Sequence, residues 1–302
     1  MEPKTTKRSY VFLPWILTFA LLGALTVFGY YSGSYNPFEA EFIKADLLST
    51  MRIHLLEAIE AEKNAVLAIT DESSANFAVR ARQASDEVES SRTKIEAIIH
   101  QEQVPRETEI LNEFNMCWAQ FRKLDETILA LATQNTNLKA QKISATQGAQ
   151  EMEHFEQSLN RLIHRNTNNS RCNKTVMFSY EALTAGLKIF ALHKPHIEEA
   201  DDQAMDKIEQ SIKSYDASAR KALGSLHSIA DPSDSDDLNN AETAYQRFMD
   251  LTGEVLTLSR MNTNIKSAEL SLGRKRLISS QCQEILATFQ ETVQAPQFKA
   301  TR

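Results

Sequence analysis

Glycine and proline are scarce in this chain, 8 and 7 among 302 residues, and there are only three cysteines. So few turn-formers exclude a sandwich or barrel of many short strands and leave room for long helices. Cys117, Cys172 and Cys282 are scattered, odd in number and without a Cys-x-x-Cys pair. That pattern argues against a disulfide framework or a cysteine zinc site, and predicts buried or half-buried thiols. A Gly-rich phosphate loop, a Ser/His/Asp set and paired catalytic carboxylates are all missing, so neither an enzyme nor a cofactor is expected. Positive charge is short as well. The net charge is −7, and residues 1–36 contribute +2, so the remainder carries −9. An acidic body is a poor partner for nucleic acid, which demands a basic surface.

What the chain does have is one long apolar run. Val11 to Tyr31 is 21 residues without a charge, and about 20 such residues span a bilayer as a helix. Lys4, Lys7 and Arg8 precede it, which keeps the N-terminus cytoplasmic. Trp15, Tyr30 and Tyr31 suit its interfaces. The run exceeds a signal-peptide core, and Phe28-Gly29-Tyr30-Tyr31 offers no small-x-small cleavage site. The expectation is an uncleaved anchor over residues 11–31 with the body outside the cytoplasmic membrane. A second run of that length is not found in the sequence.

The body repeats. Residues 105–159 recur as 232–286 at a constant offset of 127: Pro105 with Pro232, Trp118 with Tyr245, Phe121 with Phe248, Leu124 with Leu251. The run Asn135-Thr136-Asn137-Leu138-Lys139 returns as Asn262-Thr263-Asn264-Ile265-Lys266. Such a period marks two copies of one unit. Phe77, Ala81, Ala84, Val88, Ser91, Ile95 and Ile98 have the alternating spacing of a helix-bundle seam, as do Ile208, Ile212, Tyr215, Ala219, Ala222, Leu226 and Ile229. Pro105 and Pro232 suit the first position of a third helix. The two Asn-Thr-Asn runs fit either a tight turn or a buried polar mark in one long helix; the turn is preferred, since four helices close a bundle. Ser73 or Ser74 would cap the second helix. A fourth helix runs from about Leu138 to Ile163, and again from Ile265 to Val293. The polar stretch 164–175 reads as the join between copies, and a first helix of the second copy ends at Pro195.

The residues at these places resemble a known family. Ala61-Glu62-Lys63-Asn64-Ala65-Val66-Leu67-Ala68 with Thr70-Asp71-Glu72, then Trp118, residues 124–131 and Asn135 to Ala140, are similar to four-helix-bundle sensor domains of bacterial methyl-accepting chemotaxis proteins. The second copy resembles them at Asn262 to Gly273, and departs at Gly186-Leu187-Lys188. The resemblance covers roughly residues 40–290. It implies an extracytoplasmic bundle that binds small molecules, often at a dimer interface, and passes a small helix displacement inward. A second membrane helix, the linker module after it and the cytoplasmic signalling hairpin are not found in this sequence.

The expected architecture is all-α: an N-terminal transmembrane helix followed by two tandem up-down four-helix bundles. Residues 1–36 would be cytoplasmic tail and anchor, 37–165 the first bundle and 166–302 the second, lying side by side. The expected function is a membrane-anchored sensor-like module, with a small-molecule ligand, acting through a protein partner or a second copy. The alternatives are an adaptor of a membrane complex without a small ligand, or a truncated chemoreceptor. Arg52 is the candidate for gripping an anionic ligand, because a guanidinium forks onto carboxylates. Glu62 and Arg274-Lys275-Arg276 read as solvated surface. His193 and His196 read as loop histidines on a solvated corner and not as metal ligands.

Overall fold

A computed structural model describes residues 37–167 and 173–300. The anchor expected at 11–31 lies outside the described residues, as does Cys172. The described residues are helical, without strands, joined by short turns. In order these are α1 (Pro37–Leu67), α2 (Asp71–Glu102), α3 (Pro105–Ala132), α4 (Thr136–Ile143), a π turn (Ser144–Gly148) and α5 (Ala149–Asn166). Then come α6 (Asn173–Glu198), α7 (Asp202–Ile229), a 3-10 turn (Pro232–Asp234), α8 (Ser235–Met261), α9 (Thr263–Leu270), a second π turn (Ser271–Lys275) and α10 (Arg276–Ala300).

The boundaries follow from local chemistry. Thr70, not Ser73 or Ser74, caps α2: its side chain accepts from the Ser73 N–H. Asp201 does the same for α7 through Ala204. Pro105 occupies the first turn of α3 as predicted. Pro195 does not end its helix. It sits inside α6, whose last turn continues to Glu198.

Two four-helix units result, but not from residues 37–165 and 166–302. The inner unit packs α1, α2 and α3 against α9 and α10. Its core runs from Leu48, Met51 and Leu55 through Val88, Ile95, Phe114 and Phe121 to Cys282, Leu286 and Phe289. The outer unit packs α4 and α5 against α6 and α8, with α7 on α6. Its core joins Phe155 and Leu159 to Ala182, Ile189, Ile212, Leu226, Tyr245 and Phe248. The outer unit is thus the contiguous segment 136–261, inserted at the turn between the third and fourth helices of the inner one. Relative to the inner unit its helices come in permuted order, fourth, first, second, third. The helices on either side of the stretch 164–175, α5 and α6, pack on each other within the outer unit, so the expected boundary between units there is corrected; residues 168–172 lie outside the described residues.

The units meet at their ends, with α4 against α9; their flanks do not pack on each other along their length. The side-by-side expectation is corrected accordingly. Ion clusters close the two remote ends. The Lys44 Nζ atom, which is buried, lies 2.5 Å from Glu102 and 2.8 Å from Glu107. Arg161 and Arg165 hold Asp234 and Asp237 in the outer unit.

A disulfide joins Cys117 on α3 to Cys282 on α10, which corrects the reading of the cysteines as thiols. The pairing was hidden because the partners come from opposite halves of the chain and touch only once the insertion is known. Helix α6 is long and apolar enough to cross a membrane by length and composition. Here it is a core helix of the outer unit: its buried Ala182, Ala185 and Ile189 lie in that core.

Candidate functional site

The two Asn-Thr-Asn runs come together at the crossing between units. Asn135 and Asn262 both adopt left-handed backbone, with φ of 51° and 55°, a conformation asparagine tolerates better than most residues. Each breaks the helix there, so the turn reading holds against the continuous one. Neither residue caps the helix it precedes. The caps are exchanged instead. The Thr136 N–H donates to Thr263 Oγ1 at 3.1 Å, and the Thr263 N–H to Thr136 Oγ1 at 3.3 Å. The Asn137 N–H donates to Asn264 Oδ1, and the Asn264 N–H to Asn137 Oδ1. Orphan donors at two helix starts are thereby satisfied by the facing helix. Asn137 Nδ2 also donates to Asn262 Oδ1 and to the Ile197 carbonyl, both at 2.8 Å. Asn135 reaches Asp71, and Asn262 the Glu199 carbonyl. The four inter-helix turns around the crossing are thus tied into one network.

A buried polar layer lies beyond the crossing in each unit, beside the π turn. Such turns inside helices are frequent at functional sites. Counting back from the caps Thr70 and Asp201 pairs Glu62 with His193. In the outer unit His193 is 1% exposed. Its Nδ1 lies 2.9 Å from Ser144 Oγ, and its Nε2 3.0 Å from Thr252 Oγ1. Thr252 donates its own proton to the Phe248 carbonyl, so the imidazole donates from Nε2 and accepts at Nδ1. Burial, then nearby His196, lowers the His193 pKa from 6.5 to about 4. His196 is fully buried between Ser259 and Glu209. The solvated-corner reading of both histidines fails because α6 continues past Pro195 and carries them into the core.

The inner layer holds charges. Glu62 is 0% exposed, and neither carboxylate oxygen has a hydrogen-bond partner. Burial raises its pKa. Ser271 favours the charged form more weakly without completing a hydrogen bond, as does the charge on Lys275. Lys275 Nζ lies 2.5 Å from Asp125 Oδ1 and 3.2 Å from the centroid of the Phe121 ring. Burial raises the Asp125 pKa and lowers that of Lys275, each against the pull of the other. Glu62 and Lys275 are therefore not solvated surface, though Arg274 and Arg276 are exposed.

Arg52 is exposed, and its guanidinium donates to Gln290 on α10 at 2.5 Å. It does not line the groove of about 380 Å³ between α1 and α2, whose walls include His54, Glu57, Asn64, Arg80 and Glu87. A larger groove of about 840 Å³ lies between α6 and α7, and its walls include Phe178, Tyr180, Glu181, Lys188, Tyr215 and Lys221. There the Lys188 ammonium stands 5.1 Å over the Tyr215 ring. That groove escaped the sequence reading because its walls belong to two helices whose outer faces show no motif. No cluster of three metal-ligating side chains occurs among the described residues.

A search of curated proteins finds no match to this chain. Residues 37–175 match the family model described as a four helix bundle sensory module for signal transduction, and that segment is similar to this family.

Proposed function

We propose that this chain is a membrane-anchored, extracytoplasmic sensory module that reads a small molecule and acts through a protein partner. The observation that carries the reading is the sensory-module match over residues 37–175. Two structural facts support it. The Cys117–Cys282 disulfide suits an oxidising compartment. The outer unit is tied to the inner one by two chain crossings, α3 into α4 and α8 into α9, so a displacement of α8 has a continuous path into α10. The α6/α7 groove is the ligand site of choice. Its volume lies in the range of small-molecule pockets, and its lysines and aromatic rings suit a small carboxylate with an apolar body.

Thermal unfolding of the full-length chain in detergent, against amino acids, organic acids and amines, tests this. A saturable rise in midpoint for an organic acid, lost in Lys188→Ala, is the expected result. A second reading is favoured by the exposed Ile53, Leu56 and Leu67 on α1: an adaptor whose helical face binds a membrane complex. Absence of any shift across the panel moves the choice to that reading.

A further inference from the structure

A carboxylate with no exposure and no hydrogen bond is costly to ionise. Glu62 is in that position, and the groups around it explain what its ionisation would do. From α3 it faces Asp125, which itself feels Arg122 and Glu126. From the second π turn it faces Ser271 and Lys275, and on its own helix Lys63. Arg82 on α2 pairs with Glu126 and acts on Asp125. With Glu62 protonated, Lys275 and Asp125 neutralise each other in a closed pair. With Glu62 ionised, the layer carries one uncompensated negative charge, and two carboxylates compete for one ammonium. Lys275 is the last residue of the π turn and leads directly into α10.

We propose that Glu62 is a proton-binding site of the inner unit, and that its ionisation draws Lys275, just before α10, away from Asp125. The site stands on the buried geometry. Only the proton's role as a stimulus rests on the sensory reading, so loss of the ligand response described above would leave the site intact. The corresponding place in the outer unit is occupied by a histidine with both ring nitrogens hydrogen-bonded. The inner unit differs in having a titratable group left without a partner.

The sign of the pH effect is fixed by the direction of the shift. The folded state holds the proton to higher pH than the unfolded chain. Stability is therefore complete below the unfolded value of 4.5 and falls as pH rises through the folded one. The test is thermal unfolding of the full-length chain and of Glu62→Gln, both with Trp15→Phe, followed by fluorescence of Trp118 in the inner unit. The midpoint of Glu62→Gln is expected to exceed that of the parent by several degrees at pH 8, the gap closing towards pH 4.5. Parallel curves overturn the proposal. So does a fall of the midpoint with rising pH that persists in Glu62→Gln and is abolished by Asp125→Asn, which assigns the proton to Asp125. If Glu62→Gln does not fold, the infrared carbonyl band of a protonated buried carboxyl is followed in the parent protein. It is expected to fade as pH rises, and its absence at pH 5 overturns the site.

Discussion

Burial disfavours the charged form of any side chain, so it acts on a glutamate and a histidine in opposite senses. Glu62 and His193 occupy the same station in the first helix of each unit, and the units should therefore answer acid differently. His193 has a folded pKa of about 4, below its unfolded 6.5. The stability it supports is complete above pH 6.5 and is lost as pH falls from there through 4. The shift corresponds to about 3 kcal/mol. His193→Gln should abolish most of this acid sensitivity in the outer unit. Urea unfolding at pH 7 and pH 4.5, followed by the tyrosine signal of the outer unit, where Tyr180, Tyr215 and Tyr245 lie, checks it; an unchanged difference between the two pH values would rule the histidine out. Both residues were legible as core. Leu48, Met51, Leu55, Ala58, Glu62 and Ala65 keep one alternating three-four spacing, as do Ser179, Ala182, Gly186, Ile189, His193 and His196. What obscured them was chemical expectation. Charge suggested solvent at Glu62, and Pro195 suggested an earlier helix end.

Among the elements, close approach depends on one glycine. A Cβ on Gly186 would stand 2.9 Å from the Met152 Cε and 3.0 Å from the Phe155 ring, so α5 rests directly on the α6 backbone. Gly253 on α8 has nothing within 4 Å of its added Cβ. Gly253→Ala should therefore stabilise the chain by roughly 0.5–1 kcal/mol through helix propensity alone. Gly186→Leu should destabilise it by roughly 1–3 kcal/mol through overpacking. Midpoints of urea unfolding at neutral pH distinguish the two, and equal changes would contradict the packing. The breaks at Asn135 and Asn262 and the start at Pro105 were readable from capping chemistry, and the bundle seams from periodicity. Which fourth helix joins which bundle was not. The two Asn-Thr-Asn runs are alike and the seams beyond them are similarly apolar, so local sequence is compatible with either pairing. The distinguishing contacts are few and distant in the chain: Cys117 with Cys282, and Asp125 with Lys275.

At the scale of the whole molecule, an insertion can be removed. Deleting residues 136–262 joins Asn135 to Thr263 and recreates an Asn-Thr-Asn turn between α3 and α9. The shortened chain should fold as one four-helix bundle, and peptide mapping should find Cys117 bonded to Cys282. Tandem bundles closed within 37–165 and 166–302 would leave those cysteines apart in the parent chain and give a shortened chain of mismatched halves. Loss of helical circular dichroism, or free thiols at both positions, would count against the insertion. Reducing the bond in the parent should lower the stability of the inner unit by roughly 2–5 kcal/mol.

The nesting also sets an order in time. A chain made from its N-terminus has α1, α2 and α3 in hand early, but the helix that closes them is made only after the whole outer unit. The outer unit, though later in starting, is complete as soon as Met261 has emerged. It can fold while its host waits as an open three-helix trough, with Phe114 and Phe121 uncovered. During that interval the nascent protein is at its most vulnerable to aggregation, and a chaperone that shields apolar troughs would find its client there.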